Sequence, residues 1–134
     1  MGETKLPERL TPQQSKEILI AVEQGFDKQV AFTQQLMAYP SLRGQEHLAQ
    51  EFLYQTLDAG GYEMDRWAID VDEISRHPGF SPVKVDYTNA INVVATHHPE
   101  SAIGRSLILN GHIDVVPTGP ETMWNTPPFQ PTIN

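Results

Sequence analysis

Two short runs of nearly unbroken apolar residues constrain the fold of this chain more than any other feature. The first run covers residues 90–96, and the second covers residues 106–110. Each has the length of a strand rather than of a helix. Strands that are apolar on both sides are typical of a central sheet with layers packed on both faces. We therefore expect both runs to form central strands.

A long helix is predicted ahead of these strands. Thr11 can cap it, because Pro12 suits the first helical position and Gln14 can reach back to complete a capping box. Six residues then recur at spacings of three and four, and we expect this apolar stripe to be buried: Ile18, Val22, Phe26, Val30, Thr33 and Met37. The Tyr39-Pro40 pair ends the helix.

A second helix is predicted from Gln45 to about Ala59, where two glycines follow. Its inward-facing residues are expected to be Leu48, Phe52 and Leu57. Residues 62–70 then alternate with a period of two, as a half-buried strand does. Residues 71–88 contain prolines and charges and predict a long exposed connection. This order of elements predicts an α/β fold in which helices cover a sheet.

Composition excludes several classes of function. The 134 residues carry 9 Lys and Arg against 17 Asp and Glu, a net charge of −8, so we expect no nucleic-acid partner. The chain has no cysteine, which excludes disulfides and thiolate metal sites. Its N-terminus lacks the apolar segment of a signal peptide, and no apolar run reaches the length of a membrane span. We therefore expect a cytoplasmic protein without membrane contact.

His112 and Asp114 are the strongest candidates for chemistry. Residues two apart on a strand share a face, so both side chains are expected to point to one site. They follow the second apolar run and precede a proline-rich loop, where α/β sheets place their ligand crevices. A neutral imidazole is a good zinc ligand, and a nearby carboxylate can fix its orientation. From spacing alone, a hydrogen-bonded structural histidine is the alternative. The adjacent His97 and His98 face opposite sides of a strand and suit one metal ion poorly.

Linked motifs around this pair resemble a known family. Residues 111–117, followed by 124–129, are similar to the first metal-site signature of the M20 metallopeptidases and deacylases. The insertion at residues 77–82, followed by 85–87, looks most like the members related to acetylornithine deacetylase and succinyl-diaminopimelate desuccinylase. Residues 39–46 resemble that family's Pro-Ser-x-x-Gly-x-Glu turn, and residues 89–95 resemble its Asn-Val-Val-Ala strand.

The resemblance implies a function and a set of site residues. It implies an α/β/α zinc-hydrolase catalytic domain with two metal ions, usually zinc, with cobalt or manganese also possible. Such an enzyme hydrolyses the amide bond of an N-acyl amino acid or small peptide. His112 would be a metal ligand, and Asp114 a catalytic residue that orients it. Trp124 and Phe129 would lie at the substrate rim.

The resemblance also implies that the site is incomplete. The family's bridging aspartate, its Glu-Glu pair and its distant histidine have no counterpart in residues 1–134. We therefore expect this chain to be an N-terminal fragment of the catalytic domain, inactive alone, without the remaining catalytic domain or the lid domain through which the complete protein could form a homodimer. The alternative is a non-catalytic binding or interaction module on a degenerate hydrolase scaffold.

Overall fold

A computed structural model describes residues 9–82, 84–101 and 104–133. The elements in chain order are α1 (Pro12–Met37), α2 (His47–Ala59), β1 (Glu63–Ala68), α3 (Val71–Ile74), β2 (Ile91–Thr96) and a 3₁₀ turn (Glu121–Met123). The fold is thus mixed α and β. In these ranges we find no helix with the length and apolar character of a membrane span. The residues on which the signal-peptide prediction depends, 1–8, lie outside the described part of the chain.

Helix α1 begins as the sequence predicts. The Gln14 N–H donates to the Thr11 hydroxyl over 3.2 Å, and the Thr11 N–H donates to Gln14 Oε1 over 2.9 Å. The predicted burial of the apolar stripe is wrong, because Val30 alone is half-buried and the other five residues are exposed. In the described chain, α1 packs through its C-terminal half, where Phe32 stacks on Phe52 with ring centroids 5.6 Å apart. Among the described residues, no neighbouring layer covers its N-terminal turns.

Helix α2 starts two residues later than predicted. Glu46 precedes it, and the Glu46 side chain accepts a 2.8 Å hydrogen bond from the Gly44 N–H instead of capping the helix. Phe52 faces inward and contacts both Phe32 and Tyr39. Leu57 is half-buried, but Leu48 is 55% exposed, so its predicted inward position is wrong. The small core of the described chain lies on this side of α2, where Ala49 is buried.

The sheet consists of β1 and β2, paired antiparallel with Glu63 opposite Thr96 and Ala68 opposite Ile91. Both strands lie within their predicted ranges, and α2 packs on them through contacts that include a 3.2 Å hydrogen bond from Gln50 to the Ile91 carbonyl. The prediction that β2 is central is wrong for the described residues, in which it pairs with β1 alone. The predicted loop over residues 71–88 contains the short helix α3.

The second apolar run does not form a strand. Residues 106–110 have no regular structure, and Leu107, Ile108 and Leu109 are 80%, 88% and 87% exposed. An apolar strand is stable when neighbouring strands take its backbone hydrogen bonds and other layers cover its side chains. In the described ranges no strand pairs with this run. The chain next pairs at Val115, which forms an isolated parallel bridge with Leu42.

Candidate functional site

The structure brings His112 and Asp114 into direct contact. Nδ1 of His112 lies 2.8 Å from Oδ1 of Asp114 and 3.2 Å from the Asp114 carbonyl oxygen. The spacing predicts this common side, although the two residues lie in chain without regular secondary structure rather than in a strand. The His112 side chain is 84% exposed, whereas that of Asp114 is 29% exposed. The imidazole is therefore accessible, while its carboxylate partner is held against the protein.

This contact determines which ring nitrogen of His112 is available. A carboxylate oxygen accepts a hydrogen bond, so in the neutral imidazole Nδ1 carries the proton and Nε2 keeps its lone pair. A histidine ligand commonly donates its other ring N–H to a carboxylate in this way, which fixes the tautomer and ring orientation. The arrangement suits either binding of a divalent metal through Nε2 or acceptance of a proton at that atom.

A turn between α1 and α2 holds the segment around Asp114. The Ser41 hydroxyl donates to the Ile113 carbonyl over 2.7 Å, and the Val115 N–H donates to the Ser41 carbonyl over 2.9 Å. Nε of Arg43 lies 3.6 Å from Oδ2 of Asp114. The sequence predicts residues 39–46 as a turn into the second helix but not these contacts with the segment at 113–115. The Pro40-Ser41 pair marks a turn, but its partner segment is 72 residues away.

His112 and Asp114 line an open cavity of about 580 Å³. Its walls come from the start of α2, the start of β2, the loop before β2 and the segment 111–114. Charges of both signs line it: Arg43, Lys84, Glu46, Asp86 and Asp114. Polar uncharged groups are added by Gln50, Tyr87 and Asn92. The cavity has the size and mixed polarity that suit a small polar molecule.

Asp86 is a carboxylate of this lining with a local hydrogen-bond network. The Thr88 hydroxyl donates to Asp86 Oδ1 over 2.5 Å, and the Thr88 N–H donates to the same oxygen over 2.9 Å. These bonds, the hydroxyl first, lower the pKa of Asp86 from its ordinary value of 3.8. The loop before β2 therefore presents a stabilised negative charge to the cavity.

Trp124 and Phe129 lie outside the described cavity lining. Trp124 is 49% exposed, and its Nε1–H donates to the Thr118 carbonyl over 2.9 Å. Phe129 is half-buried with a φ of 61°, a value that non-glycine residues seldom adopt. Their loop approaches α1, where Gln34 donates to the Pro131 carbonyl over 3.4 Å. Their role at a substrate rim stays a prediction.

The metal-ligating groups of the described residues are dispersed. Among residues 9–82, 84–101 and 104–133, no group of three or more His, Asp and Glu side chains could hold a metal ion. His98 lies 3.0 Å from Glu63, and the His97 ring meets the edge of Tyr62. These two histidines thus have separate neighbours.

Comparison with known proteins connects the chain to a hydrolase. It is 32% identical over 123 residues to N-formyl-4-amino-5-aminomethyl-2-methylpyrimidine deformylase of Halalkalibacterium halodurans. The match covers 89% of this chain and 25% of the relative, so the chain spans about a quarter of that protein's length.

The assignment to the M20 metallopeptidases is wrong on these comparisons. No protein-family model matches the chain. The relative is named for removal of a formyl group from a pyrimidine compound, not for peptide hydrolysis. The motifs that resemble the M20 signature are short, and short motifs match by chance more readily than whole domains. What the comparison supports is similarity to an enzyme that acts on a formyl amide bond.

Proposed function

We propose that this chain supplies the histidine–aspartate pair of an amide hydrolase that removes a small acyl group from a nitrogen of a small molecule. The observation that carries the proposal is the 2.8 Å contact between His112 Nδ1 and Asp114 Oδ1 at the wall of an open cavity. The similarity to a deformylase supports the reaction class.

In this proposal His112 binds a divalent metal through Nε2. Zinc is the first choice because imidazole suits it, and cobalt or manganese are alternatives. When bound, the metal would polarise the amide carbonyl and lower the pKa of a water molecule. Asp114 keeps the proton on Nδ1 and so keeps the Nε2 lone pair directed outward. The proposed site binds a second metal ion beside the first.

The cavity supports a small substrate. Its volume of about 580 Å³ falls within the range of roughly 300–1,000 Å³ that small-molecule sites occupy. Two substrate classes suit its mixed charges: N-formylated aminopyrimidines, which the relative's name indicates, and N-acyl amino acids or small peptides. We place the formylated compounds first because their acyl group is the smallest and the relative's name specifies it.

The decisive experiment compares two histidine variants of the complete protein, His112→Ala and His98→Ala. His98 is a matched control because it also pairs with a carboxylate but does not line the cavity. Formate release from an N-formyl aminomethylpyrimidine and acetate release from N-acetyl amino acids would be measured, together with zinc bound per chain. We expect His112→Ala to lower kcat/KM by at least about 100-fold and to reduce bound zinc, with no change in His98→Ala.

Two results would contradict the proposal. Retention of wild-type hydrolysis by His112→Ala would remove the pair from the reaction. Binding of these amides by the wild-type protein without any hydrolysis would favour the alternative of a binding module.

A further inference from the structure

We infer that the turn Ser41–Arg43 sets the geometry of the His112–Asp114 pair, with Ser41 and Arg43 as positioning residues. The two segments are far apart in sequence but meet through two hydrogen bonds of Ser41, one of which belongs to the Leu42–Val115 bridge, and through the Arg43–Asp114 ion pair. The expected effect on turnover rests on the proposed function. The expected effect on the tautomer and orientation of the His112 ring does not depend on that function.

Ser41 fixes the backbone on both sides of Asp114. Its hydroxyl donates to the Ile113 carbonyl over 2.7 Å, and its carbonyl accepts from the Val115 N–H over 2.9 Å. Ile113 and Val115 are the two neighbours of Asp114 in the chain, so the main chain can shift at neither side without losing a hydrogen bond. Ser41 is itself 5% exposed. Loss of its hydroxyl would leave the Ile113 carbonyl without this partner, which is unfavourable in a partly buried position.

The burial of Ser41 also argues against a role as a nucleophile. A serine nucleophile needs an accessible hydroxyl and a neighbouring base that can take its proton. The Ser41 hydroxyl is buried and already donates to a main-chain carbonyl. Its contribution is therefore to position the neighbouring segment.

Arg43 acts on the carboxylate rather than on the backbone. Oδ1 of Asp114 faces His112 Nδ1, and Oδ2 lies 3.6 Å from Arg43 Nε. Arg43 thus attracts the oxygen that does not face His112, which favours this orientation of the carboxylate. The Arg43 side chain is 69% exposed, so its ion pair adds little to the stability of the fold. The effect of removing it should appear in the orientation of His112 and not in unfolding.

The local turn places Arg43 next to Asp114. Gly44 follows it with a φ of 87°, in the left-handed region that glycine adopts without strain. The Gly44 N–H donates to Glu46 Oε1 over 2.8 Å, and the Gln45 N–H donates to the Leu42 carbonyl over 2.7 Å. These bonds close the turn just before α2 begins. Arg43 is therefore presented by a hydrogen-bonded turn.

The test uses the complete protein with its histidines labelled with ¹⁵N. The variants are Ser41→Ala, Ser41→Thr, Arg43→Ala and Arg43→Lys. Matched controls are Ser75→Ala, which removes a hydroxyl bonded to the Asp72 carbonyl, and Arg66→Ala, which breaks a 2.7 Å ion pair with Glu51. The readouts are the ¹⁵N shifts of the His112 ring in metal-free protein, zinc affinity by chelator competition, and kcat and KM.

We expect wild-type His112 to carry its proton on Nδ1. In Ser41→Ala and Arg43→Ala this form should decrease in favour of the Nε2–H tautomer, and zinc affinity should fall about 10-fold, the lower end of the effect of losing a ligand's outer partner. A fall in kcat with KM nearly unchanged should accompany it. Ser41→Thr and Arg43→Lys should retain most of each property, and the two controls should match the wild type.

If the ¹⁵N chemical shifts of the His112 ring are unchanged in both Ser41→Ala and Arg43→Ala, the inference is overturned. Equal changes in the controls Ser75→Ala and Arg66→Ala would overturn it as well. If Ser41→Ala does not fold, the exposed Arg43→Ala variant decides the result. If the shifts change as expected but no variant or wild-type protein hydrolyses an amide, the proposed function fails while the positioning role stands.

Discussion

Nε2 of His98 lies 3.0 Å from Oε2 of Glu63, so the described residues contain a second histidine–carboxylate pair. Its carboxylate side chain is 75% exposed, and neither member lines the cavity. The Asp114 carboxylate is less exposed, lies in the cavity wall and faces Arg43 through its other oxygen. A histidine–carboxylate contact alone is therefore not what distinguishes the candidate site. The candidate site is distinguished by the surroundings of the Asp114 carboxylate, which is less exposed than that of Glu63, lines the cavity and faces Arg43.

The first prediction concerns the charge of Asp114. Asp114→Asn retains the shape of the side chain but removes the negative charge that keeps the proton on Nδ1 of His112. Zinc affinity should fall by about 10- to 100-fold, because outer partners of histidine ligands have effects of this size. Chelator competition measures the affinity. Glu63→Gln is the control and should bind zinc like the wild type; equal losses in both variants would contradict a specific role for Asp114.

The second prediction concerns the aromatic cluster that joins the two long helices. Phe52 lies 5.6 Å from Phe32 and 5.2 Å from Tyr39 between ring centroids. Phe52→Ala should lower the free energy of unfolding by about 2–3 kcal/mol, somewhat less than full burial gives because Phe52 is half-buried. Denaturant titration of the complete protein measures this change.

Phe26→Ala provides the control for that cluster. Phe26 is also on a helix, but it is 58% exposed and should contribute less than about 0.5 kcal/mol. A similar loss in both variants would show that another surface covers this face of α1 in the complete protein. No loss in Phe52→Ala would contradict the assignment of the core to this side of α2.

Local signals in the sequence predict the two long helices and both strands of the sheet well. The capping residues Thr11 and Gln14 act within one turn, so their pattern alone is sufficient to locate the start of α1. The period of two likewise locates β1, and the apolar run locates β2. Burial is less predictable, because it depends on which surfaces meet. The apolar stripe of α1 and the run 106–110 have the right patterns but are exposed in the described chain.

The candidate site shows the same division between local and distant information. Two-residue spacing predicts that His112 and Asp114 share a side, and the 2.8 Å contact agrees with it. The contribution of Ser41 and Arg43 could not be predicted, since nothing local to residues 111–114 specifies a partner about 70 residues earlier. The family assignment failed for a related reason: it depended on short motifs, whereas the comparisons include no matching family model.

The third prediction concerns the start of α1. Thr11→Ala removes the hydroxyl that accepts the Gln14 N–H, so the first turn should open more often, at a loss of about 1 kcal/mol. Amide hydrogen exchange of residues 13–16 would measure the opening. Thr11→Ser keeps an acceptor and should exchange nearly like the wild type. Equal protection in the alanine variant would show that the capping box adds nothing to this helix.

The fourth prediction concerns the pH response of the cavity lining. The Thr88 hydroxyl and then its N–H hold the pKa of Asp86 below 3.8, because both donate to the ionised carboxylate. A lowered pKa in the folded state means that the ionised form stabilises the fold. That contribution is complete above about 3.8, the ordinary value, and is lost as the pH falls through the lower folded value.

Thr88→Val tests this cause directly, since it removes the hydroxyl but keeps the backbone N–H. The pKa of Asp86, measured from the carboxyl ¹³C shift, should rise part of the way toward 3.8. Ser75→Ala removes a hydroxyl that bonds a carbonyl elsewhere and should leave the pKa of Asp86 unchanged. A wild-type pKa at or above 3.8, or one that Thr88→Val does not move, would contradict the hydrogen-bond assignment. A rise beyond 3.8 in Thr88→Val would instead indicate that the neighbouring negative charges of the cavity, Glu46 and Asp114, act on Asp86.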